Sequence, residues 1–193
     1  MLNNLSQYRI ILASNSPRRK ELLTGLDLAY EVMTLPDVDE DYPEYLQRQE
    51  IPEYISKQKA AAYMPFMNEH SLVITADTIV WLDGKVYEKP RDLQDAANML
   101  RALSGKTHEV ITGVCLTTLK KQHLFSALSE VTFATLNDEE INYYVQKYAP
   151  MDKAGAYGVQ EWIGYIGVEN IKGSYFNVMG LPVQRLYREL MRW

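Results

Sequence analysis

The chain is poor in the residues that would place it in several large protein classes. It has one cysteine, Cys115, in 193 residues. No internal disulfide can form, so a stapled scaffold is excluded and the chain fits a reducing cytosol. No apolar run reaches the length of a membrane span. The segment Met1 to Gln7 is polar, so neither a signal peptide nor a membrane anchor is expected. A basic excess is missing too: 20 Lys and Arg stand against 25 Asp and Glu, a formal net charge of −5. Such a chain lacks the footprint of a protein that binds long nucleic acid, so any anion site must be local. Zinc-ligand spacing, a nucleophile elbow and a P-loop are absent, and Gly155 to Gly158 is too loose for a dinucleotide fingerprint. There are no internal repeats and no low-complexity linker.

What is present is ordinary globular material. Hydrophobic residues make up 47% and charged residues 23%, enough for a core without staples. One domain over 1–193 is expected. Arg9 to Ala13 reads as a short buried strand. Ser16 caps a helix from Pro17 to about Thr24, closed by Gly25. Tyr30 to Leu35 reads as a second strand, followed by the acidic loop Asp37 to Glu44. Helix is expected from about Pro52 to Tyr63. Leu72 to Trp81 reads as a central strand, Asp83-Gly84 as a hairpin turn, and Lys85 to Tyr87 as the return. Leu93 to Leu103 reads as helix. His108 to Leu119 and Ala127 to Thr135 read as a long hairpin. Asn137 caps another helix with an acidic first turn, and Pro182 sits at the start of a last one. Strict strand–helix alternation is missing, so we expect an α/β fold: a mixed, partly antiparallel sheet with flanking helices.

Four places break the local rules, and such places are where sites are sought. Ser14 to Lys20 joins a strand to a helix start, where unpaired N–H groups favour an anion. Arg18, Arg19 and Lys20 in that first turn oppose the helix dipole, at ~0.3–1 kcal/mol each, and a bound anion reverses the cost. Arginine also presents a planar fork to phosphate oxygens. Asp77 interrupts an otherwise apolar strand. It is either a strand-end carboxylate bonded to backbone or a metal ligand or general base. Lys59 shares a helix face with Ile55 and Ala62, and snorkelling of the ammonium into water is the simpler reading. The acidic run Asp37-Val38-Asp39-Glu40-Asp41 is either solvated surface or a hold for Mg²⁺. His108, on a strand, reads as structural.

In order, these segments resemble the Maf family. Ile11-Leu12-Ala13-Ser14-Asn15-Ser16-Pro17-Arg18-Arg19-Lys20-Glu21-Leu22-Leu23 is the most recognisable match. Val38-Asp39-Glu40, Lys59-Ala60, Ala76-Asp77-Thr78 with Val80, and Lys89-Pro90 follow. Ser104 to Val114, Ala154 to Gln160 and Gly173 to Pro182 complete the set, which covers nearly the whole chain. The resemblance implies a fold related to the inosine triphosphate pyrophosphatases, with two lobes around a cleft. It implies hydrolysis of a nucleoside triphosphate to the monophosphate and pyrophosphate, a divalent metal (Mg²⁺ or Mn²⁺), a cytoplasmic location and a homodimer. Thr107-His108-Glu109-Val110 and Ala154 to Gln160 look like the dTTP/UTP-cleaving subgroup. Two positions depart from many relatives, which have glycine there: Glu161 after Gln160, and Glu88 before Lys89.

Carried onto this chain, the resemblance assigns the parts. Ser14, Arg18 and Arg19 hold the phosphates, and Lys59 and Lys89 close over them. Glu40 and Asp77 bind the metal, Asp77 being the better candidate for general base. Gln160 lies near the base or ribose. Three alternatives stay open at this point: a 7-methyl-GTP or other noncanonical nucleotide substrate, a nucleotide-binding division regulator with little turnover, and an inert module that keeps the fold.

Overall fold

The computed structural model describes residues 2–36 and 38–193. Asp37, part of the acidic run, lies outside the described residues. Strands β1 (Arg9–Leu12), β2 (Glu31–Val32), β3 (Ser71–Leu82), β4 (Lys85–Tyr87), β5 (Thr107–Thr117), β6 (Gln122–Phe133) and β7 (Val168–Lys172) form one sheet among the described residues. Its order is β2-β1-β3-β5-β6-β7, with β4 paired to β3. β1 runs parallel to β2 and β3, while β4 and β7 run antiparallel to their partners. The helices are α1 (Pro17–Thr24), α2 (Glu50–Tyr63), α3 (Leu93–Leu103), α4 (Asp138–Tyr148), α5 (Trp162–Gly167), α6 (Tyr175–Met179) and α7 (Val183–Met191). The expected mixed α/β architecture is the one observed. Among the described residues, no helix is long and apolar enough to cross a membrane.

The chain divides into two compact units. The first comprises Met1–Asp77, Thr112–Ala127 and Gly180–Trp193; the second comprises Thr78–Ile111 and Leu128–Met179. In the first unit, β1 aligns Ile11 with Val73 of β3, and both are buried. Helix α7 buries Val183, Leu186 and Leu190 at helical spacing, leaving polar residues outside. Its one buried charge, Glu189, accepts from Arg185 Nε at 2.6 Å and lies 3.0 Å from His123 Nε2. Helix α2 lies tight against β5. A Cβ on Gly113 would fall 2.3 Å from the Pro52 carbonyl oxygen, so only glycine allows that approach.

In the second unit, Asp83 and Gly84 both take positive φ, 52° and 78°, as a two-residue hairpin turn requires. Asn137 closes a capping box with Glu140 at the start of α4. Strand β6 alternates as expected, with Ser129, Val131 and Phe133 buried. His108 is fully buried among aromatic rings. Its Nε2 shares a 2.8 Å hydrogen bond with the Tyr157 hydroxyl, and it packs edge-on against Phe133. Burial lowers its pKa from 6.5 to about 4. The folded chain therefore keeps His108 neutral while the unfolded chain protonates it below pH 6.5. Its contribution to stability is whole above pH 6.5 and lost as pH falls toward 4, about 3 kcal/mol in total. Urea midpoints taken from pH 7 to pH 5 should fall less steeply in His108→Gln than in the native chain. Equal slopes would mean His108 is protonated in the fold.

Several expectations need correction. The second strand is two residues, Glu31–Val32, because only these register with Ile11 and Leu12. β6 begins at Gln122 and not at Ala127, since the hairpin pairs almost to its tip. Gly25 ends α1, but in right-handed geometry with φ −63°, so no left-handed cap forms.

Candidate active site

β1 leads into a tight polar turn. Ala13 N–H donates to the Ile74 carbonyl at 2.9 Å, the last rung before the turn. Ser16 N–H donates to Ser14 Oγ at 3.2 Å, and Ser16 Oγ in turn accepts from Arg19 N–H at 3.4 Å. Pro17 occupies the first helical position. The Arg19 side chain is anchored rather than solvated. Its Nε donates to the Gly180 carbonyl and one Nη to the Ala76 carbonyl, each at 2.8 Å. Burial pulls its pKa below the ordinary arginine value; Asp77 and Glu40 oppose that shift, and Arg18 adds to it. Asp77, Glu40 and Arg18 thus all lie within electrostatic reach of Arg19.

Helix α2 and strand β3 are joined by two rungs. Thr75 and Asp77 point to the same face of β3, two residues apart. Ser56 and Lys59 share a face of α2. Thr75 Oγ1 donates to the Ser56 carbonyl at 2.7 Å, and Lys59 Nζ donates to Asp77 Oδ1 at 2.8 Å. The same Nζ lies 2.8 Å from Glu40 Oε1. Side-chain exposure is 12% for Lys59, 13% for Asp77 and 48% for Glu40. The snorkelling reading of Lys59 is therefore wrong. Two carboxylates from distant segments hold the ammonium, so it has no need of bulk water.

Among its described residues, the acidic run does not act as one cluster. Asp39 Oδ1 accepts from Asp41 N–H at 2.8 Å, closing a local turn, while Glu40 reaches Lys59. Among the described residues, no group of three or more His, Cys, Asp or Glu side chains gathers as a metal site. Two carboxylates converging on one cationic point still suit Mg²⁺. That ion is commonly held by one or two carboxylates, with water and substrate phosphate completing its shell.

Lys89 and Gln160 belong to the second unit. Lys89 is exposed just after β4, before the buried Pro90. The Glu88 carbonyl beside it accepts from Gly155 N–H at 3.1 Å. Gln160 is half-buried, and its Oε1 is shielded from solvent without a protein donor. A buried amide oxygen in that state is suited to a ligand.

The sequence matches the Maf-like protein family over residues 9–193. The chain belongs to the Maf family. A dTTP/UTP pyrophosphatase of Phocaeicola vulgatus is 66% identical over 192 residues and is covered in full, as is this chain. A dTTP/UTP pyrophosphatase of Bacteroides fragilis is 64% identical over 190 residues, covering 98% of each chain. Among solved structures, the Staphylococcus aureus Ham1 protein superposes with a TM-score of 0.52 at 16% identity, covering 94% of this chain and 99% of that one. That likeness is one of fold.

In this Maf chain the motif residues of the first unit come together as two linked groups. Ser14, Ser16 and Arg19 organise the helix start; Glu40, Lys59 and Asp77 form the charged trio. The sequence reading missed a third group, built in the second unit around Glu161 with Lys153 and Tyr144. Its one visible signal was Glu161 itself, standing where many relatives have glycine.

Proposed function

We propose that this Maf member hydrolyses nucleoside triphosphates, dTTP and UTP foremost, to the nucleoside monophosphate and pyrophosphate. The observation that carries the reading is the Glu40–Lys59–Asp77 trio, whose two carboxylates also act on Arg19 near the start of α1. The 54–66% identical relatives named dTTP/UTP pyrophosphatase support both the reaction and the nucleotides.

In this reading Ser14, Arg18 and Arg19 bind the phosphates, and their fixed donors offset the charge of a polyanion. Arg19 is pre-positioned by its two carbonyl anchors, so little ordering remains on binding. Lys59 and Lys89 contribute further positive charge. Asp77 takes the proton from the attacking water. The water oxygen bonds to the α-phosphorus, and the bridging oxygen leaves with pyrophosphate. Glu40 and Asp77 would hold Mg²⁺ or Mn²⁺, which when bound polarises phosphoryl oxygens and lowers the pKa of water. Gln160 contacts the base or ribose. The family match across residues 9–193 supports a single Maf-like domain. The buried free thiol of Cys115 supports a reducing, cytoplasmic setting. Tyr175 and Phe176, exposed and packed ring against ring, support a homodimer.

The test is pyrophosphate release by the purified chain with Mg²⁺ or Mn²⁺ and a panel of dTTP, UTP, CTP, pseudo-UTP, 5-methyl-UTP, 7-methyl-GTP and ITP. Monophosphate from dTTP and UTP is the expected result. Preference for 7-methyl-GTP or ITP would keep the reaction and reject the substrate. Binding without turnover would leave a nucleotide-binding regulator.

A further inference from the structure

Gln160 lies in a segment whose backbone is unusually constrained. Gly155 and Ala156 both have positive φ, 67° and 58°. Glu161 N–H donates to the Gly158 carbonyl at 2.9 Å, and Gly164 N–H donates to the Glu161 carbonyl at 2.8 Å. The Glu161 side chain then folds back over this turn. One carboxylate oxygen accepts from the Tyr144 hydroxyl, and the other lies 3.1 Å from Lys153 Nζ. The Tyr144 oxygen itself accepts from Gly158 N–H at 3.0 Å. Lys153, nearly buried, is also paired with Asp152 at 2.7 Å. A Cβ on Gly158 would fall 2.8 Å from the Glu161 carboxyl carbon and 3.0 Å from Lys153 Cε, so the group is packed onto the glycine. Gln160 is thus bracketed: Gly158 is tied to Tyr144, and Glu161 is tied to Tyr144 and Lys153.

Uracil and cytosine differ where such a residue would act. Uracil presents a carbonyl oxygen and a ring N–H; cytosine presents an amino group and a bare ring nitrogen. A carboxamide carries both a donor and an acceptor, and turning it over by 180° suits the other base. Discrimination by Gln160 therefore needs the amide held in one orientation. We propose that Glu161 is a positioning residue for nucleotide specificity, fixing through Tyr144 and Lys153 the backbone that presents the Gln160 amide, so that uracil-type bases are accepted over cytosine. This rests on the proposed function, in which Gln160 meets the nucleotide.

The experiment measures kcat and KM for UTP and CTP with Mg²⁺ in the native chain and in Glu161→Ala, Glu161→Gln and Tyr144→Phe. Glu161→Ala should raise KM for UTP about tenfold, leave kcat within about twofold, and lower the UTP-to-CTP ratio of kcat/KM about tenfold. Tyr144→Phe should move the ratio the same way. Glu161→Gln should restore most of it, because its amide oxygen still accepts from Tyr144. A folded Glu161→Ala with the native ratio overturns the proposal. If Glu161→Ala does not fold, Tyr144→Phe decides, and an unchanged ratio there overturns it equally. A native chain that cleaves neither nucleotide overturns the proposed function instead. The inference is then read from UTP and CTP dissociation constants, whose ratio must fall in Glu161→Ala for it to stand.

Discussion

Replacing Asp77 with asparagine is expected to cut pyrophosphate release by about a thousandfold or more while leaving the fold in place. In the proposed reaction Asp77 is the proton acceptor, and a carboxamide can neither accept that proton nor offer full charge to a divalent ion. The structural cost is small by comparison. Asparagine has the same shape, and its amide oxygen can still accept from Lys59 Nζ, now 2.8 Å from Asp77 Oδ1. Lys59 also keeps Glu40. Two measurements suffice: single-turnover pyrophosphate release from dTTP, and a urea titration. Activity within tenfold of the native chain would remove Asp77 from the chemistry. Loss of activity together with loss of folding would be answered by Asp77→Glu, which keeps the charge and moves it by one methylene.

Lys59→Met should produce the second large effect, on stability and activity together. Methionine keeps the apolar stem but leaves Asp77 and Glu40 facing a point with no cation. Removing one partner of a buried ion pair costs about 3–5 kcal/mol. Glu40 is half-exposed and can turn to water, so the expected loss here falls at or just below that range, about 2–3 kcal/mol. Turnover should fall at least about a hundredfold, since Lys59 is also a phosphate-facing charge in the proposed reaction. Mg²⁺ makes the test specific. If the two carboxylates can share one divalent ion, Mg²⁺ should raise the melting temperature of Lys59→Met more than that of the native chain, where the ammonium competes for the same point. Equal shifts in the two proteins would show that Glu40 and Asp77 do not bind one ion together.

How far the fold could be read in advance depended on how local its causes are. α3 spans Leu93–Leu103 as expected, because Asp92 caps it and Ala96, Leu100 and Leu103 give it a buried face. The Asp83-Gly84 turn, the Ser16 cap and the Asn137 cap likewise follow from side chains acting on neighbouring backbone. β7 and α6 carried no such signal. β7 is a mostly exposed edge strand containing Glu169 and Asn170, and it exists because β6 offers it a register from Val131 to Ile171. α5 has glycines at 164 and 167, which propensity alone would reject.

The sequence by itself determined the family, the mixed α/β class, the charged motif residues and their order. Those are properties of residue type and spacing, and both survive without coordinates. Only the tertiary structure decided what the charges do. Lys59 reads as a snorkelling lysine until β3 and α2 pack so that Asp77 meets it and the loop brings Glu40 to the same atom. Arg19 reads as a phosphate-binding cation in the first turn of α1, and only the Ala76 and Gly180 carbonyls fix where its guanidinium lies. Glu161 reads as a departure until Tyr144 and Lys153 close around it. In each case at least one partner lies 17 or more residues away in sequence. A charge's role is set by what it faces, and what it faces is decided by packing that no local rule contains.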